Sequence, residues 1–369
     1  MKYIRMPIEA ESPEERGYDT IKYNLSESSV TDLTLADIGL LNPGLQLAYT
    51  DHRGKLALRQ LLAAQYPGTD VADVLLTCGA AAALFMINTL LLSANDHLVV
   101  VRPNYATNIE VPKAIGCAIS YVDLLPATQW QLTAAAIEDA LTPATKLISI
   151  TSPHNPTGMV LDEAELLKII ALAEARNIYL LVDETYRDIC FKTPYPLAAT
   201  LSHKVISISS VSKAYGLPGI RMGWLITKDA GLYQQLLCAK EMIHITNSIL
   251  DEEACCQFLQ NGQAWQQRIN QKAQHHLQLV QQWLQAEPRI QAVMPAGGVV
   301  CFAAIRQGLI KDLPAFYDTL LTTYGTLVGP GHWFDMPMNY MRIGFAWPDT
   351  ASLQQGLLQI SACLDECIK

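Results

Sequence analysis

Helical and strand signals alternate between residues 53 and 230, and the strand candidates at 97–102, 146–151, 178–183, 204–210 and 222–227 are apolar enough to be covered on both faces. Strands of that kind belong inside a sheet with a layer of helices on each side. The alternation therefore predicts an α/β fold built on a mainly parallel sheet with crossover helices. The clearest helix is 162–176 (DEAELLKIIALAEAR), with Asp162 and Glu165 placed as a capping box and Asn177 as its stop. The stretch 79–94 is broken by Asn88 and Thr89 and falls short of the roughly 18–20 apolar residues that span a bilayer, so it reads as a buried helix.

After about residue 230 the pattern changes to long Gln-rich helices, then to a Gly297-Gly298 turn, a strand at 299–305 and a last strand at 340–345. We expect an N-terminal arm with part of a small domain at 1–45, a large domain at 46–245 and a smaller α/β domain at 246–369. No linker composition separates them, so they are expected to pack tightly.

Of the 369 residues half are apolar and 17% are charged, with a formal net charge of −9. This is a core-forming composition, and it lacks the cation surplus that a sequence-independent nucleic-acid binder needs. Nine cysteines without a Cys-x-x-Cys pair, and histidines without His-x-x-x-His spacing, give no disulfide framework and no metal site; ordinary buried thiols are expected. The N-terminus turns acidic where a secretory signal would be apolar, so a cytoplasmic protein is expected, with neither membrane nor nucleic acid as partner.

Three segments carry chemistry. In SSVSKAYGLPGIRMGW (209–224), Lys213 follows a strand among small residues. Alone it reads as a solvated turn residue. The hydroxyls of Ser210 and Ser212 and the guanidinium of Arg221 nearby offer a dianion several donors, and a lysine beside a bound phosphate suggests a Schiff base to a phosphorylated aldehyde. In SPHNPTG (152–158), Asn155 could do no more than cap a turn. Asp183 ends the apolar run IYLLVD with Tyr186 three residues on, and a carboxylate there must be paired or functional; a protonated pyridine nitrogen would suit it. In TCGAAAAL (77–84), Gly79, Ala80 and Ala81 open a helix whose free amides suit an anion, although such starts are usually packing. Tyr105, just past a strand, reads as a ring-stacking aromatic or a surface tyrosine. Strand ends of an open α/β sheet meet at one crevice, so these residues are expected to converge.

As an ordered set, NPTG, Asp183-x-x-Tyr186 and Ser210-x-x-Lys213 with Arg221 eight residues on resemble the fold type I pyridoxal-phosphate enzymes of the class I and II aminotransferase group. The resemblance runs from about Tyr23 to the end. It implies a seven-stranded sheet, pyridoxal 5'-phosphate as cofactor, and a homodimer with shared active sites. It makes Lys213 the Schiff-base lysine, with Asp183 and Tyr105 as further catalytic groups, Asp183 on the pyridine nitrogen and Tyr105 on the ring. Asn155 and Tyr186 would bond the phenolic oxygen, and Ser210, Ser212, Arg221 and residues 79–81 the phosphate. Tyr49 would reach the phosphate of the neighbouring subunit. Arg342, in YMRIGFA, would clamp the substrate α-carboxylate with Asn155 beside it; a structural ion pair is its other reading. Ser28-Ser29-Val30, the run 213–219 (KAYGLPG) and the late run 328–331 (VGPG) look closest to a branch that includes capreomycidine synthase.

Three functions follow. The first is amino transfer between an L-amino acid and a 2-oxo acid. The second is elimination, cyclisation or oxidation of a functionalised, for example guanidino, amino acid. The third is a non-catalytic regulator. The loop 24–36, with Glu27 and Asp32, and the segment 242–252 are expected to line the distal end of the substrate, and the two acids would favour a cationic one.

Overall fold

The computed structural model describes residues 1–39 and 44–368. A short strand, β1 (Tyr23–Asn24), follows two four-residue helices at the N-terminus, Pro7–Ala10 and Pro13–Arg16. The large sheet takes β2 (Val74–Thr77), β3 (His97–Arg102), β4 (Ala118–Asp123), β5 (Thr145–Thr151), β6 (Tyr179–Asp183), β7 (Val205–Ser210) and β8 (Gly223–Thr227), in the order β2-β8-β7-β6-β5-β3-β4. It is mainly parallel: only β8 runs against its neighbours β2 and β7. The remaining strands are β9 (Ile290–Ala292), β10 (Val300–Ile305), β11 (Thr326–Leu327), β12 (Gly329–Pro330) and β13 (Tyr340–Gly344). A four-stranded antiparallel sheet, β12-β13-β10-β9, forms the smaller unit. β1 pairs in parallel with β11, which ties the start of the chain to that unit.

The five inner strands agree with expectation to within a residue at each end. β2 and β4, the two edges of the sheet, were not expected. The helix Glu163–Ala175 is capped by Asp162, which accepts from the Ala164 amide at 2.8 Å. The capping box does not form, because Glu165 accepts from the Ala134 amide at 2.7 Å and pairs with Lys168 instead. All nine cysteines are free, but only five are buried: Cys78 and Cys238 are exposed and Cys190 and Cys367 half-buried, against the expectation of uniformly buried thiols.

One apolar cluster joins Leu76, Trp224 and Ile226 of the large sheet to Val300, Ile343 and Phe345 of the smaller unit. Burying side chains from both sheets in a common core fixes the cleft between them. Among the described residues, no helix is long and apolar enough to cross a membrane.

Candidate active site

β5, β6 and β7 run parallel and in register, with Thr151 opposite Asp183 and Asp183 opposite Ile208. Their C-terminal ends therefore stop side by side, as strand ends do at ligand crevices of α/β sheets. A cavity of about 480 Å³ opens there. Ala80, Ala81, Tyr105, Asn155, Asp183, Tyr186, Ser210, Ser212, Lys213, Arg221 and Arg342 all line it. Gly79 lies against Arg221 at its edge. Tyr49 is 81% exposed and is not among the lining residues of its own chain.

One end of the cavity is built to receive an anion. The helix Gly79–Leu91 starts without a side-chain cap, which leaves its first amides to other acceptors. Gly79 has φ +74°, and a Cβ there would stand 2.7 Å from Arg221 Nη2, so only glycine lets the guanidinium lie on the helix start. Arg221 itself is held in the left-handed region at φ 45° and donates from Nη1 to the Pro218 carbonyl at 3.0 Å. Ser210 and Ser212 extend from the end of β7, joined by the Ser212 amide donating to Ser210 Oγ at 3.3 Å. Guanidinium, hydroxyls and free amides together suit a phosphate dianion.

The middle of the cavity holds a buried acid and a lysine. Asp183 is 5% exposed. Its Oδ1 accepts from the Thr185 amide at 3.1 Å and the Thr185 hydroxyl at 2.6 Å. Burial still raises its carboxyl above the usual range, opposed only by hydrogen bonds from Thr185 and Asn108. Burial also depresses the Lys213 ammonium; Glu27 opposes this and Arg342 reinforces it. Tyr186 donates its hydroxyl to the Ser28 carbonyl at 2.8 Å, and burial pushes its phenol up.

Arg342 projects from β13 and is 3% exposed. Its Nη1 donates to Asn155 Oδ1 at 3.1 Å and its Nη2 to the Ser26 carbonyl at 2.6 Å, while Nε meets no acceptor among the described residues. The ring of Phe334 lies 5.0 Å from the guanidinium carbon. No carboxylate pairs with it among the described residues, so the structural ion pair considered from sequence is absent. Gly344 brings Ser26 to this arginine: a Cβ there would fall 1.7 Å from the Glu27 carbonyl, and its amide donates to Leu25 at 2.7 Å. The segment 25–27 can therefore lie flat on β13.

Several contributors escaped the sequence reading. Thr185, which holds Asp183, carried a signal in the Asp-x-Thr spacing of a local side-chain turn. Ser26 carried none. Glu9 and Glu14, on the N-terminal helices, line the same cavity, although that stretch read only as acidic. Of the loop 24–36, Ser26, Glu27 and Ser28 line the cavity, whereas Asp32 accepts from Trp347 Nε1 at 2.9 Å outside it. No residue of 242–252 lines the cavity of its own chain, contrary to expectation, and Met242 is exposed.

This donor set fits pyridoxal phosphate: an anion receptor at a helix start, a buried carboxylate that no cation pairs among the described residues, and a lysine lining the same cavity. The family model described as aminotransferase class I and II matches residues 23–360. Capreomycidine synthase of Streptomyces vinaceus is 30% identical over 93% of this chain and 90% of its own length. An arginine–pyruvate transaminase of Pseudomonas aeruginosa is 26% identical over 87% of this chain and 83% of its own. The crystal structure of a PLP-dependent aminotransferase from Streptococcus suis superposes with a TM-score of 0.91 at 26% identity, covering 100% of this chain and 99% of that one. Fold, cofactor site and near full-length similarity agree, and the chain belongs to the aminotransferase class I and II family of pyridoxal-phosphate-dependent enzymes.

Proposed function

We propose that this enzyme moves an amino group between an L-amino acid and a 2-oxo acid. The observation that carries the reading is that Lys213, Asp183 and Arg342 line one cavity. Pyridoxal phosphate, when bound, supplies an aldehyde and an electron-accepting ring. In this reading residues 79–81, Ser210, Ser212 and Arg221 would hold its phosphate, Asp183 would keep its ring nitrogen protonated, Asn155 and Tyr186 would bond its phenolic oxygen, and Tyr105 would cover the ring. Lys213 would do the proton work: burial favours its neutral amine, and once the substrate amine has taken its place on the aldehyde, the released Nζ would be free to take the proton from the substrate Cα. Arg342 would offer the substrate α-carboxylate the guanidinium protons that Asn155 and the Ser26 carbonyl do not take.

Mixing the holoenzyme with amino donors under an ultraviolet–visible spectrometer tests the reaction. Amino transfer leaves pyridoxamine phosphate and a stoichiometric oxo acid, and consumption of donor without that acid would refute it. A second reading, elimination, cyclisation or oxidation of a functionalised amino acid, draws support from the similarity to capreomycidine synthase. In that case the donor is consumed and the original cofactor spectrum returns.

Arg342→Ala is expected to lose roughly 1.5–3 kcal/mol of transition-state binding for every accepted amino donor, the range for hydrogen bonds to a charged group. Arg342→Lys should recover only part, because an ammonium cannot reproduce the planar fork. Activity lost with one class of side chain and kept with another would show that this arginine reads the side chain instead.

We also propose a cytoplasmic homodimer. Tyr49 stands exposed outside its own cavity, free to complete the phosphate site of a second subunit under two-fold symmetry. The nine free thiols suit a reducing compartment. Sedimentation at assay concentration is expected to show a dimer, and a fully active monomer would overturn this assembly.

A further inference from the structure

The cavity carries more negative charge than the active-site reading uses. In that reading Arg221 faces the phosphate, Arg342 the α-carboxylate, Asp183 a protonated ring nitrogen, and Lys213 gives its amine to the chemistry. Glu9, Glu14 and Glu27 remain on the wall of the same cavity. Their neighbours Glu11 and Glu15 are paired with His332 at 3.0 Å and Arg5 at 2.6 Å. Glu9, Glu14 and Glu27 form no ion pair among the described residues, and Glu27 accepts the Tyr18 hydroxyl at 2.8 Å.

The three acids are held in place. Glu11 fastens the N-terminal arm to the smaller unit, accepting from Trp333 Nε1 at 2.7 Å and lying 3.0 Å from His332 Nε2, and Ser12 and Pro13 beside it are buried. The two short helices on either side of this anchor present Glu9 and Glu14 to the cavity. Glu27 is set by the close approach of its backbone to Gly344, two residues from Arg342. Burial raises its carboxyl, and Lys213 is the cation that opposes this. A second observation points to a ligand independently of the acids: the nearly buried Arg342 lines the same cavity with Nε unpaired. One wall asks for an anion, and the other for a cation.

We propose that the substrate is an amino acid with a second positive charge at the far end of its side chain, a guanidinium or ammonium, received by Glu27 with Glu9 and Glu14 at the mouth. The proposal rests on the active-site reading above and deepens it. A neutral side chain would take water from Glu27 and return no partner, and an anionic one would add repulsion, so both are selected against. Glu9 and Glu14 are exposed, so they act by longer-range attraction that salt screens.

The test uses holoenzyme whose cofactor has been fixed to the protein by borohydride, which stops turnover and leaves binding. Calorimetry with L-arginine and L-lysine, against the neutral near-isosteres L-citrulline and L-norleucine, is expected to give at least a roughly tenfold preference for each cation. Glu27→Gln should bring that ratio close to one, and added salt should lower it in the wild type. A Glu9→Gln/Glu14→Gln double variant, changed only at exposed positions, should also lower the ratio and serves if Glu27→Gln does not fold. Citrulline bound as tightly as arginine, or a ratio indifferent to the variant that folds, overturns the proposal. Peptide mapping of the same sample separates the two readings. A cofactor label on a lysine other than Lys213 sinks the active-site assignment, whereas a label on Lys213 with a flat ratio sinks only the cationic substrate.

Discussion

Lys213→Ala is expected to abolish turnover while the chain still folds and still takes up pyridoxal phosphate non-covalently. The lost proton transfer alone is worth on the order of 10²–10⁴ in rate, and the lost nucleophile adds to that. Folding should not suffer, for a reason visible in the electrostatics. Burial depresses the Lys213 pKa below its unfolded value, so between the two values the unfolded chain binds more protons and stability rises with pH. Below the folded value the lysine costs stability in full. Replacing it by alanine at neutral pH removes that cost, and the cofactor-free variant should melt no lower than wild type. Borohydride reduction and peptide mapping of the wild type should place the phosphopyridoxyl group on Lys213. A variant that keeps near wild-type turnover would remove the lysine from the chemistry.

How far the sequence anticipates this site depends on how local each contact is. β3, β5, β6, β7 and β8 are almost wholly buried and read as runs in which apolar and small residues dominate. β4 is an edge strand with exposed and half-buried positions, and β2 has only four residues, so neither gives a periodic signal above its surroundings. Ordered motifs located the strand-end residues because parallel strands bring their C-terminal ends to one crevice whatever the spacing between them. Contacts that cross the fold left no such trace. Tyr186 meets the Ser28 carbonyl from 158 residues away, and Arg342 meets Asn155 from 187.

The N-terminal arm is the extreme case. Its helices, Pro7–Ala10 and Pro13–Arg16, are far shorter than an isolated helix needs to persist. Their position depends on Glu11 reaching Trp333 and His332 more than 300 residues on. A run of acids there reads as solvated surface until the tertiary anchor is known. The same dependence explains Glu165, whose spacing from Asp162 suits a capping box but whose carboxylate is taken by the amide of Ala134 in another helix.

Asp183→Asn is expected to separate the stability of the chain from its chemistry. The substitution keeps the shape and the oxygen that accepts both Thr185 bonds, and removes only the charge. Burial raises the Asp183 pKa, so between the unfolded and folded values the folded chain binds more protons, and stability falls as pH rises through that window. Above it the buried carboxylate costs stability in full. The cofactor-free variant should therefore melt at or above the wild-type temperature, with an advantage that grows as pH rises from about 4, near the unfolded aspartate value. With cofactor the balance reverses. On the proposed assignment the carboxylate would then be the partner of a ring cation, and losing one preorganised charge at a reacting group costs on the order of 10²–10³ in rate. That loss should fall on kcat more than on KM, because the α-carboxylate and the side chain are held elsewhere. Melting curves across pH on cofactor-free protein, beside steady-state kinetics on the holoenzyme, read both arms. Near wild-type kcat would end the assignment of Asp183 to the ring nitrogen. A large loss of cofactor-free stability would instead make Asp183 a structural acid, supported by Thr185 and Asn108 for the sake of the fold.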